Sequence, residues 1–335
     1  MDGVRGIQRA SELGPGWVYR GKTSLSRFLR EYMDWLHKIR LRSSSPQTRR
    51  KTIESLTAAG KVPDLKLLIA SLGDPDSQVR CAAAKALGTI NEELSVAARV
   101  AALTDMSSQV RATAAATLKE VQDPRRIQPL LKSARDAEPA VRRAAIVALG
   151  LEPSPLVTET LLDSLGDTDA RVRLAAAQVL EQQADPAHLT HFLTLLEDEH
   201  FEVRLTAIQF LRRVSDPSVA EALVPHLADS DSDVRRAAAL ALGQVRSHAA
   251  LEPLVLALTD EEPAVRHAAA AALEEIDPRW VRSDAAQRAI PRLEALLGDP
   301  QPWVVAAAET VLEKLRAAKD KDTEVWNRES GIRNL

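Results

Sequence analysis

A chain of 335 residues, 45% hydrophobic and 27% charged, has enough apolar content to stay folded. Its 3% aromatic content argues against a layered β-rich core, and its wealth of Ala, Leu, Arg and Glu favours helix. Net charge is −3, yet residues 1–51 hold twelve Lys/Arg against four acids, which leaves 32 basic and 43 acidic residues in the remainder. An acidic body argues against nucleic acid as a partner, because a phosphate track needs a basic stripe.

Residues 1–23, with Leu13-Gly14-Pro15-Gly16-Trp17, read as an irregular lead-in. Ser24 then stands where a cap is needed for an amphipathic helix over 24–44. Leu25, Phe28, Leu29, Tyr32, Leu36 and Ile39 share its apolar side, and Arg27, Arg30, Lys38 and Arg40 mostly take the others. Five of the chain's eleven aromatic residues precede residue 36, so this basic, aromatic helix is expected to cap the first core. The other reading makes residues 24–42 a docking helix for a partner or an anionic membrane surface.

From 45 to 316 the chain repeats itself. Val-Arg recurs at 79, 110, 141, 172, 203, 234 and 265, always 31 residues apart. With each valine as position 0, an Asp stands at −5 (Asp74 to Asp260), an Ala at +4 (Ala83 to Ala269) and a Leu at +8 (Leu87 to Leu273). Thr48-Arg49 and Leu56 form a degenerate first copy. Asp299, Val304, Ala308 and Leu312 form a ninth, after an eight-residue insertion that carries Asp277-Pro278-Arg279-Trp280. Positions 0, +4, +7 and +8 fall on one face of a helix. Pro124, Pro155, Pro186 and Pro217 open a helix before it, with Asp123, Asp185 and Asp216 as caps. The expectation is therefore all-α: a solenoid of about nine two-helix repeats, with degenerate ends and a polar C-terminal tail over 317–335.

The run from Asp229 to Leu242, DSDSDVRRAAALAL, resembles the HEAT-like repeat of the phycobilisome lyase family. The resemblance covers about residues 45–316. It implies a superhelix whose second helices line a concave side, and a repeat shared by lyase subunits and adaptors. The Arg and Asp of the repeat are expected to pair between neighbours as a structural ladder. His188, His191 and His200 form the one histidine cluster, but the chain has no His-Glu dipeptide of the kind that holds iron in resembling hydroxylases. No Gly-x-x-x-x-Gly-Lys loop, Gly-x-Ser-x-Gly elbow or cysteine pair occurs, so no catalytic, cofactor or metal residues are assigned. One cysteine, Cys81, excludes an internal disulfide and fits packing in a reducing compartment. No apolar signal core or membrane-length run is present, and a cytoplasmic location is expected.

Positions that vary between repeats carry the functional signal. Offsets −2, −1, +2, +3 and +6 of the second helix are expected to point outward. Through the middle copies they include Arg143, Val147, Arg171, Leu174, Gln178, Phe201, Leu205, Gln209, Arg236, Leu240 and His267, with Trp303 beyond the insertion. Apolar groups beside Arg and Gln suit a protein partner, with Phe201 as anchor. The expected function is a non-catalytic interaction scaffold. The alternative that the resemblance implies is a phycobilin lyase-type subunit or a tetrapyrrole-handling helper.

Overall fold

The computed structural model describes residues 32, 35–58, 65–150 and 152–329, with side chains through 319. The lead-in over 1–23 and the first part of the 24–44 helix lie outside the described residues. The described residues form helices joined by turns and short irregular connections, without a strand. The chain divides into two compact units, residues 1–121 and 122–335.

In the first unit, residues 35–41 are helical and are followed by α1 (Pro46–Ala58), α2 (Leu65–Ser71), α3 (Ser77–Leu87), α4 (Glu93–Ala102) and α5 (Ser108–Thr117). The repeat valines start the second helices, and successive second helices pack on each other: α1 on α3, α3 on α5. Ile53, Leu68, Val79, Ala83 and Leu87 form a continuous core, and Leu41 packs against it. Ile39, placed by periodicity on the apolar side of its helix, is instead 47% exposed.

The second unit continues the pattern. It runs α6 (Ile127–Ser133), α7 (Pro139–Leu149), α8 (Pro155–Ser164), α9 (Ala170–Gln183), α10 (Leu189–Leu195), α11 (Phe201–Leu211), α12 (Pro217–Leu223), α13 (Ser232–Val245), α14 (Leu251–Ala257), α15 (Pro263–Ile276), α16 (Asp284–Ala295) and α17 (Pro302–Glu329). Odd-numbered members are second helices, and α7, α9, α11, α13 and α15 pack in succession. Asp123, Asp185 and Asp216 accept from backbone N–H groups at the starts of first helices, the capping role their place before proline implied. Of the polar segment over 317–335, the part up to Glu329 is helical, because α17 continues that far. A helix that has already been nucleated can extend through polar residues such as Lys, Asp and Glu.

Two positions build the interior. At 0 and +8 every repeat from 79 to 265 buries its valine and leucine to within about 1% exposure. At −11, on the first helix, Leu68, Leu130, Leu161, Phe192, Leu223, Leu254 and Leu293 are fully buried. Phe192 stacks on Phe210 with ring centroids 3.9 Å apart, so an aromatic pair fills one layer.

The exception at −11 is Arg99, fully buried where other repeats place Leu or Phe. Its Nη1 donates to the carbonyl of Thr117 at the end of α5 (2.7 Å) and its Nη2 to that of Ile90 (3.2 Å). The negative end of α5 thus receives the charge, while burial lowers the Arg99 pKa. Arg126 in the second unit does related work, giving Nη1 to the carbonyl of Ala148 (2.8 Å) and Nη2 to Glu152.

Candidate functional site

The repeated Asp and Arg form a ladder whose geometry follows from the 31-residue period. Arg49, Arg80, Arg142, Arg173, Arg204 and Arg235 each reach the Asp 25 residues on: Asp74, Asp105, Asp167, Asp198, Asp229 and Asp260. Each pair is bidentate, Nε to Oδ2 and Nη2 to Oδ1, at 2.6–3.0 Å. In the five rungs from Arg80 on, Nη1 donates at 2.8–2.9 Å to the carbonyl of the arginine's own −5 Asp, so one guanidinium ties two turns together. Each −5 carboxylate also accepts from the N–H two residues on, as Asp198 does from His200 at 2.9 Å.

The ladder side chains are only about a tenth exposed, so these are sheltered rungs and not solvated surface pairs. Burial by itself would raise the pKa values of Asp74, Asp105, Asp167, Asp198 and Asp229. The arginine and backbone hydrogen bonds outweigh it and hold each carboxyl below the ordinary range.

With the ladder occupying one edge, the variable positions take the solvent side of the second helices. Arg143 and Val147 lie on α7; Arg171, Leu174 and Gln178 on α9; Phe201, Leu205 and Gln209 on α11; Arg236 and Leu240 on α13; His267 on α15; and Trp303 on α17. Val147, Leu174 and Leu205 are half-buried, and the other nine are exposed. Because α7 to α15 pack in succession, the residues from Arg143 to His267 lie on adjoining helices. Phe201, Leu240 and Trp303 each expose 38% of their surface. Several polar heads are already engaged locally: Arg171 Nη2 with Asp169 (2.8 Å), Arg236 Nη2 with Asp233 (2.8 Å), and Trp303 Nε1 with Gln301 (2.7 Å).

Offset +3 does not face outward. Ala175, Thr206 and Ala268 at that offset are buried, and Thr113, whose hydroxyl donates to the carbonyl of Gln109 at 2.7 Å, brings its Oγ1 within 3.9 Å of Cys81 Sγ of the preceding repeat. Small residues recur there because the neighbouring second helix lies against them. Burial first of all raises the Cys81 pKa, so its thiol stays protonated and acts as packing.

The histidine cluster does not converge. His188 is buried with Nδ1 lacking a hydrogen bond among the described residues, whereas His200 is exposed beside Glu199. No group of three or more His, Cys, Asp or Glu among the described residues could hold a metal ion. Exposed apolar groups that periodicity missed are Leu94 (62%) and Met106 (90%). Met106 had a readable signal, since it occupies the tip of the Asp turn, where other repeats carry Pro75, Thr168, Glu199 or Ser230.

A stack of two-helix units that carries an arginine–aspartate ladder and a variable solvent face defines a helical repeat protein. The chain belongs to the family of HEAT repeats, whose model matches residues 33–98, 96–181, 158–241 and 220–313. Among solved structures it is similar to YibA of Escherichia coli at 22% identity, over 79% of this chain and 100% of that one, with a TM-score of 0.58. It is similar to an engineered protein at 22% identity, over 87% and 90%, with a TM-score of 0.50. Both likenesses concern the fold. The complex of CpcE and CpcF of phycocyanin lyase from Nostoc sp. PCC7120 aligns at 23% identity over 70% and 94%, with a TM-score of 0.39, too low to bear on activity. No curated protein sequence matches the chain. No helix of the described residues is long and apolar enough to cross a membrane.

Proposed function

We propose that this chain is a non-catalytic interaction scaffold, and that the exposed face of its second helices from α7 to α15 holds a partner protein. The observation that carries this reading is Phe201 and Leu240, each 38% exposed on packed, rigid helices among arginines. A large apolar group held by a rigid helix loses little entropy on binding, and aromatic and Arg side chains dominate interface energetics. The ladder removes the repeated charges from the recognition surface, which leaves the variable offsets to choose the partner.

The test is affinity capture with wild type and a Phe201→Asp, Arg171→Glu double variant, after circular dichroism has matched their helix content. A protein retained by wild type and lost by the variant is expected. Equal capture by both would refute the assignment of this face. Visible absorbance on the captured wild type would favour the tetrapyrrole-handling alternative.

A further inference from the structure

The ladder is interrupted at Arg266, and a cleft opens there. Arg266 is the ladder arginine of α15, and its Nη1 donates to the carbonyls of Asp260 (2.6 Å) and Glu261 (3.0 Å), as at the other rungs. Its expected carboxylate is Asp299, which the insertion places 33 residues on instead of 25. Among the described residues the Nε and Nη2 of Arg266 have no acceptor, and Asp299 accepts only from the N–H of Gln301 at 2.8 Å.

The cause lies in the inserted residues. Trp280 is buried in a 3₁₀ turn, Trp280–Arg282, wedged beside α16. As a result α15 and α17 lack the close packing that joins every earlier pair of second helices in this unit. Between them is a cavity of about 740 Å³, lined by Arg266, His267, Ala270, Trp303, Val311 and Lys314 among others.

The charge of this cleft is one-sided. Glu261 lies on its wall, but its carboxylate already accepts from Arg235 Nη2 at 3.1 Å. Arg266 and Lys314 face the space as cations, with the imidazole of His267 beside them. Trp303 adds a large surface that is 38% exposed, over a floor of small apolar side chains. A guanidinium fork preset for a carboxylate, next to an open indole, is a recognition pair for an acidic residue beside an apolar one.

We infer that the α15–α17 cleft docks a segment of a partner protein in which an Asp or Glu is followed or preceded by an apolar residue. The carboxylate takes the Nε/Nη2 edge of Arg266, in the geometry Asp260 uses on Arg235, and the apolar side chain lies on Trp303. This rests on the scaffold reading and names both a second contact region and the chemistry it selects.

The experiment pans random twelve-residue peptides displayed on phage against the full chain. Synthetic peptides of the enriched sequences are then titrated by fluorescence anisotropy. Arg266→Gln removes the fork, whereas Thr310→Glu adds a negative charge at an exposed lining position and leaves the stack untouched. Enriched peptides should carry Asp or Glu beside an apolar residue. Their Kd should weaken about tenfold or more in both variants, and equally when the peptide carboxylate becomes an amide. Peptides that bind wild type, Arg266→Gln and Thr310→Glu alike overturn the inference. Peptides lost on Phe201→Asp but kept by Arg266→Gln overturn it while supporting the scaffold face. Absence of any enriched peptide counts against both.

Discussion

Replacing Arg173 by Ala tests whether shelter gives the ladder its strength. Arg173 is 10% exposed and its partner Asp198 7%, joined by contacts of 2.6 and 2.8 Å. The truncation strands the Asp198 carboxylate with one strong donor, the N–H of His200. Removing one partner of a fully buried pair costs about 3–5 kcal/mol. The residual exposure and the surviving backbone bond lower this to about 2–3 kcal/mol. Two residues away on the same helix, Arg171 pairs with Asp169 at 2.8 Å but is 71% exposed, so Arg171→Ala should leave stability almost unchanged. Repeat stacks unfold in parts, so the assay is native-state hydrogen exchange on the amides of α9 and α11. Arg173→Ala should speed their exchange by roughly 30- to 150-fold, from the 2–3 kcal/mol loss. The double variant Arg173→Ala, Asp198→Ala should recover part of that loss, because no charge is then left unpaired. Equal acceleration by Arg171→Ala and Arg173→Ala would refute the argument that burial sets the strength of a rung.

Acid should dismantle the ladder in a defined window. The folded-state pKa values of Asp74, Asp105, Asp167, Asp198 and Asp229 lie below their unfolded values. Their contribution is therefore complete above the unfolded value of about 4 and is lost as pH falls through the folded values. Thermal melts should show midpoints falling steeply below about pH 4, and less steeply in Asp198→Asn. Gly243→Val should destabilise by about 1–3 kcal/mol in urea titrations, since a Cβ there meets the Ala272 Cα at 2.8 Å, whereas Gly298→Ala, with open space around it, should be near neutral. Ala184 ends α9 with φ of 52°, so Ala184→Gly should raise stability by about 0.5–1 kcal/mol in the same titration.

The valine and leucine layers were legible because one face of a 3.6-residue helix repeats every 31 residues, and so was the Asp–Arg pairing. The depth of the rungs was not. Spacing shows that Arg173 can reach Asp198, but only packing shows how little water joins them. Arg99 was illegible for a different reason. A guanidinium at a leucine position reads as a break in the apolar face, and its acceptors are backbone carbonyls, which leave no trace in the pattern. Offset +3 was misassigned because its small residues resemble a solvent face in composition. Of the cleft, sequence revealed the insertion but not its consequence, the separation of α15 from α17 that leaves Arg266 open.

The ties of the ladder are short along the chain, each bridging 25 residues between neighbouring repeats. No rung waits for a distant segment to arrive, so each can close as soon as its two flanking turns exist, and loop-closure entropy stays small. The same locality frees length from fold. A duplicated 31-residue unit brings an arginine for the turn after it and an aspartate for the arginine before it, and so inserts without orphaning either. An inserted eight-residue segment breaks that arithmetic, which is why a lengthened turn in this architecture creates an opening where a duplicated repeat creates none.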